Sequence, residues 1–242
     1  MTTKESLKII GEDILKQCPD TVRRITDWPG TREVYRMDPE AFSTQVLHLH
    51  RKVMRLSTDG SIIGAAVFEH DQIVTTYSVD GEMMISRPLK NTIYIDRYAC
   101  TQQPLPVPDS RFRFTEMHEA CRHILVRMGF MESRPVMYRR TDREESREER
   151  MADYLAAYLL MPDSVLIAMM KSRDYRPLVS YEDVMPRRDA MFFENMTRSL
   201  QVSSAALTRR LRDAGFWQDR SIYEYEDPDR PWGYDPIGGV MP

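Results

Sequence analysis

The chain has 242 residues, 42% of them hydrophobic, enough for one large domain with a buried core that needs no disulfide scaffold. Its 34 Lys and Arg against 37 Asp and Glu leave a net charge of −3, which removes any global electrostatic basis for strong binding to nucleic acid or an anionic membrane. Cys18, Cys100 and Cys121 are scattered and form no C-x-x-C arrangement, which fits reduced thiols. The start carries no basic stretch leading into an apolar one, and no apolar run approaches the roughly 18 residues of a membrane span, so a soluble cytoplasmic protein is expected.

Residues 3–17 place Leu7, Ile10, Ile14 and Leu15 at helical spacing and predict an amphipathic helix. Residues 39–56 continue the pattern through Phe42, Val46, Leu49, Val53 and Leu56, with Asp38 and Pro39 as a start signal, and predict a second. His48 and His50 read as ordinary flank residues of that helix. A β-rich stretch follows: residues 62–68, 72–77 and 92–96 are short β-prone runs bounded by turn residues, expected to form one small, partly antiparallel sheet. Three prolines within residues 101–109 make that stretch a loop.

From Ser110 the period is helical again, through Phe114, Met117, Cys121, Ile124 and Met128, with Gly129 placed as a terminating glycine. Residues 144–161 predict another helix, charged in its first half and apolar in its second. Residues 163–171 and 187–200 read as helical, and Ser203 to Gly215 as a compact helix with a serine cap and a glycine stop. Residues 217–242 are rich in acidic and aromatic residues without an apolar period, and are expected to be an extended tail.

Chemistry concentrates in His118-Glu119-Ala120-Cys121-Arg122-His123. Two imidazoles that share a metal from one helix belong four residues apart, about 40° around the axis, with the Glu after the first His polarising a bound water. Here the second His comes five residues on, at about 140° on a regular helix, and Arg122, which cannot ligate a cation, holds the four-residue position. A second segment, residues 149–162, reads by pattern as an amphipathic helix whose Leu155, Leu159 and Leu160 enter the core beside small alanines.

Taken together and in order, residues 59–68, 91–96, 113–119, 149–162 (Glu-Arg-Met-Ala-Asp-Tyr-Leu-Ala-Ala-Tyr-Leu-Leu-Met-Pro) and 200–215 resemble the ImmA/IrrE family of metallopeptidases, over roughly residues 50–216. The resemblance implies an α+β fold: a small mixed sheet packed with helices in a zincin-like core, followed by a helix-turn-helix-like segment. The expected division is a metallopeptidase-like domain over residues 1–172, a helical segment over 173–216 and the tail over 217–242. It implies zinc held by His118, His123 and Glu149, with Glu119 as general base. Asp153, four residues after Glu149 on the same helix face, stands either behind the ligands or in a surface ion pair with Arg150 or Arg147. It also implies that Thr92, Ile93, Tyr94 and Ile95 form the edge strand on which an extended peptide substrate pairs.

Arg122 leaves two outcomes open. A π-bulge near Cys121 would swing His123 back to His118 and preserve a zinc site; a regular helix would aim Arg122 at the metal position and pair it with Glu149. Cys121 as a soft ligand beside His118 is a third arrangement. The function implied is a zinc-dependent endopeptidase acting on a protein, with a transcriptional repressor of a mobile genetic element or stress circuit as the expected substrate. The alternative is a family member that holds a repressor peptide without cutting it. A third class is DNA binding through Arg209, Arg210 and Arg212 on the last helix, against which stand the negative net charge and the lack of a second basic element.

Overall fold

The computed structural model describes residues 3–31, 33–70, 72–78, 80–96, 110–133, 136–139, 146–182 and 184–221. The proline loop over 101–109 and the tail beyond 221 lie outside the described residues. The fold is mixed α+β.

Helix α1 (Thr3–Gln17) buries Leu7, Gly11 and Leu15. A short antiparallel ribbon, β1 (Arg23–Ile25) with β2 (Tyr35–Met37), leads to α2 (Pro39–Ala41), which Asp38 caps by accepting from the Ala41 N–H. The helix predicted over residues 39–56 stops there. It widens into a π-helical turn over Phe42–Val46, His48 takes a left-handed φ of 53°, and the chain straightens into β3 (His50–Met54). The apolar spacing was compatible with a helix, but pairing with a buried neighbour strand decides otherwise. Phe42 and Leu49 enter the main core while Leu56 enters a separate cluster across the sheet.

Strands β4 (Ile62–Val67), β5 (Val74–Tyr77), β6 (Met83–Ser86) and β7 (Thr92–Asp96) do not make one sheet as expected. β5 and β6 form their own antiparallel hairpin, and the main sheet has the order β3-β7-β4-β8, with β8 spanning Val136–Arg139. β3 runs parallel to β7, whereas β4 is antiparallel to both β7 and β8. Alternation along the central strands builds two layers. Ile93 and Ile95 face the helical core, while Tyr94, Ala65 and Val67 join Leu56 and Val74 on the hairpin side.

Helix α3 (Ser110–Arg127) lies across the helical face, ended by Gly129 at φ 74°. Helix α4 (Arg147–Leu160) packs on α3 and α1, and α5 (Asp163–Met170) follows after Pro162. Gly11 on α1 permits close approach, since a Cβ there would lie 2.5 Å from the Tyr158 ring. Strand β9 (Leu178–Tyr181), α6 (Arg187–Leu200), α7 (Ser204–Asp213) and β10 (Trp217–Arg220) complete the described chain. The start of the expected tail is therefore a strand, paired in parallel with β9. Leu200, Leu207 and Leu211 share one core with α4 residues such as Leu155 and Leu159. No single helix among the described residues is long and apolar enough to cross a membrane.

Candidate functional site: a buried ion cluster between α3 and α4

Helix α3 is α-helical throughout, with no π-bulge at Cys121, so side-chain directions follow the ordinary 100° step. His118 and Arg122 consequently share the side facing α4. His123 is turned toward β7 and Phe68, its ring centroid 4.6 Å from that of Phe68.

His118 is completely buried and lies between two carboxylates from α4. Its Nδ1 is 2.8 Å from Asp153 Oδ1, and its Nε2 is 2.9 Å from Glu149 Oε2. Carboxylates only accept, so both ring nitrogens donate and the ring is an imidazolium. The pKa agrees: burial opposes the charge, but the bonds to Asp153 and Glu149 and the field of Glu119 outweigh it and lift His118 to about 9. Glu149 is well placed because Ser146 caps α4, its hydroxyl accepting from the Glu149 N–H. Ser146-x-x-Glu149 is the sequence pattern of a reciprocal cap, but here the carboxylate turns to His118. Burial pushes the Glu149 carboxyl up, and the His118 bond and charge with the Arg122 charge pull it below its ordinary value.

Arg122 is also completely buried and supplies the second positive charge. Its Nη1 lies 3.4 Å from Glu119 Oε2 and its Nε 3.5 Å from Glu149 Oε1, with the guanidinium carbon 5.9 Å from the Phe68 ring centroid. Glu119, equally buried, leans the other way onto the sheet. A Cβ at Gly64 on β4 would stand 2.5 Å from Glu119 Oε1 and 2.8 Å from Thr115 Cγ2, so only a glycine fits beneath this carboxylate. Burial raises Glu119 to about 7, against the lowering fields of Arg122 and His118. His118 and Arg122 thus face the carboxyl groups of Glu149, Asp153 and Glu119.

The structure brings His118, Glu119 and Glu149 together and adds Asp153 and Arg122. It does not bring His123 to them. Burial, the Arg127 charge and, in opposition, a hydrogen bond that the ring gives to the Thr92 backbone leave His123 at about 4, a neutral ring whose buried Nε2 has no hydrogen-bond partner among the described residues. Cys121 belongs to the apolar core, its thiol pushed up by burial, and is no thiolate ligand. Asp153 bonds His118 rather than Arg147 or Arg150. Among the described residues no three His, Cys, Asp or Glu side chains converge as a metal cage. As the side chains stand the donor set does not fit zinc: beside His118 and Glu149 the place of a second imidazole holds the Arg122 guanidinium, which cannot ligate a cation.

The edge-strand expectation for Thr92, Ile93, Tyr94 and Ile95 is corrected. β7 is interior, hydrogen-bonded to β3 on one side and β4 on the other, and these four residues are buried. Sequence reasoning missed Gly64 and Phe68; the small-residue run Gly64-Ala65-Ala66 inside a strand was the available sign of close backbone approach. On α7, Arg210 bonds the Met161 carbonyl and Asp163 and stacks on Tyr158, and Arg212 bonds Asp219. Arg209, the remaining arginine of the three, is exposed.

Compared with models of protein families the chain matches none, and no curated protein matches it.

Proposed function

We propose that this chain is a metallopeptidase-like protein of the ImmA/IrrE type that holds an extended segment of a protein partner without hydrolysing it, a helix-turn-helix repressor being the expected class of partner. The reading rests on the resemblance of the ordered segments and on one observation: Arg122 fills the space between Glu119 and Glu149, so the cluster is balanced by a side chain. A zincin-like core and a helix-turn-helix-like close over α6 and α7 are part of the proposal, as is a cytoplasmic setting in which Cys18 and Cys121 stay free.

The zinc-dependent endopeptidase is the second reading, favoured by a different observation. His118 is oriented by Asp153 through Nδ1 and aims Nε2 at Glu149, the arrangement of a ligand histidine with its supporting carboxylate. Elemental analysis of the untagged protein and of Arg122→His separates the two. The regulator reading expects a metal-free parent and zinc in the variant; near-stoichiometric zinc in the parent, with cleavage of a repressor lost in Glu119→Gln, overturns it.

A further inference from the structure

The hairpin of β5 and β6 stands apart from the buried ion cluster, and its register fixes which way each peptide group points. The Ser78 N–H donates to the Glu82 carbonyl, so the hydrogen-bonded pairs recur at every second position, Thr76 with Met84 and Val74 with Ser86. Between them the Tyr77 N–H turns away from β6 and donates to the Arg55 carbonyl. The peptide groups of Met83 and Ile85, opposite Tyr77 and Thr75, therefore turn outward from β5, and no described strand meets them. The side chains alternate: Ser86 reaches the Tyr94 hydroxyl on the inner face, and Met83 and Ile85 lie on the outer face, 65% and 67% exposed.

Charged side chains guard the other open edges: β3 carries Arg51 and Lys52, β10 carries Asp219 and Arg220, and β9, which has no charge, is largely buried. β6 reads Met83-Met84-Ile85-Ser86, without a charge or a proline. Its charges stand at the two ends, Asp80 and Glu82 at the turn and Arg87 and Lys90 beyond the strand, all four exposed. A parallel neighbour of the same sequence would set like charges together, whereas an antiparallel one sets the acidic end of each strand beside the basic end of the other. We propose that the β6 edge pairs with β6 of a second copy of this chain, antiparallel about a two-fold axis at Met84. With Met84 opposite Met84, Met83 stands opposite Ile85 of the second copy, and the two exchange the backbone bonds that β5 leaves unused. The same register carries Arg87 across to the turn that bears Asp80 and Glu82. A four-residue ladder falls short of the roughly 800 Å² per partner of a stable interface, so the dimer is concentration-dependent.

This self-pairing is independent of the partner-segment and zinc readings above. Sedimentation velocity on the full chain is expected to show monomer passing to dimer, with no larger species, as concentration rises about a hundredfold. Ile85→Lys is expected to weaken the dimer by about tenfold or more, through a lysine on the pairing strand. Arg87→Glu weakens it at low salt, and adding Glu82→Arg restores it, because opposite charges meet again at both ends. A monomer at every concentration, open-ended oligomers, or a dimer indifferent to Ile85→Lys overturns the proposal; indifference to Arg87→Glu overturns the antiparallel arrangement. Met84→Cys reads the register without weakening the edge: its two thiols face each other across a non-hydrogen-bonded pair with Cα atoms about 4.5 Å apart. Oxidation is expected to link the two copies of that variant and not of the parent, and the absence of the link overturns the two-fold at Met84.

Discussion

The two faces of α3 carry a histidine each, five residues apart and equally buried, yet with opposite protonation. His118, on the face toward α4, meets Asp153 and Glu149 and is held charged with a pKa of about 9. His123, on the face toward the sheet, meets the Phe68 ring, the Thr92 backbone and the field of Arg127, and is held neutral with a pKa of about 4. Burial alone would depress both. The difference lies in what the packed element offers: α4 presents carboxylates one turn apart, and the sheet offers backbone and aromatic surface. A buried polar group takes its charge state from its partners, and one helix can hold both outcomes within two turns.

The strongest way to break that contrast is to remove the second cation. Arg122→Ala leaves Glu149 and Glu119 beside a single imidazolium in a buried site and is expected to cost about 3–5 kcal/mol, measured by urea unfolding at pH 7. A loss below about 1 kcal/mol would show that water already compensates the carboxylates.

The next sharpens the contrast through pH. Between pH 6.5 and 9 the folded state keeps a proton on His118 that the unfolded chain has released, so the stability His118 contributes is full below pH 6.5 and is lost as pH rises through 9. The fall from His118 alone is on the order of 3 kcal/mol. Asp153→Asn removes one of the two stabilising carboxylates and is expected to flatten that slope. His123 acts in the opposite sense lower down: its depressed pKa makes stability fall as pH drops from 6.5 toward 4. Glu119, raised from 4.5 to about 7, offsets that limb, because the stability it contributes is full below 4.5 and lost as pH rises through 7. Melting temperatures of parent and Asp153→Asn are therefore compared from pH 7.5 to 9; a parent curve flat there would refute a charged His118.

The smallest expected effect concerns the sheet side. Gly64→Ala sets a methyl 2.5 Å from Glu119 Oε1 and is expected to destabilise by about 1–3 kcal/mol. In the double variant with Glu119→Ala part of the penalty should vanish while the contact with Thr115 Cγ2 at 2.8 Å keeps the rest, a split that a double-mutant cycle reads directly.

Much of the helical frame was legible in the sequence, because each helix carries apolar residues at a 3–4 spacing, with a cap at Ser203 and stops at Gly129 and Gly215, although α3 and α4 turn out to be buried on nearly every side. Residues 50–54 were not, because Val53 and Leu56 repeat at a helical interval by coincidence while their backbone pairs with β7. The site was legible as a set of residues on two segments, but not as a set of distances. His123 looked available until the helix proved regular, and the role of Arg122 depended on the same fact.

By itself the sequence determined where most helices lie, that α3 carries a histidine, a glutamate and an arginine on a short stretch, and that α4 carries Glu149 and Asp153 four residues apart on one face. These follow from local periodicity, which each segment expresses without reference to the others. Tertiary structure alone decided that both carboxylates grip one imidazole, that Arg122 enters the gap, that β7 is interior and that β8 covers β4. Those outcomes depend on how segments tens of residues apart are brought face to face, and strand order and burial are properties of that packing that no local pattern encodes.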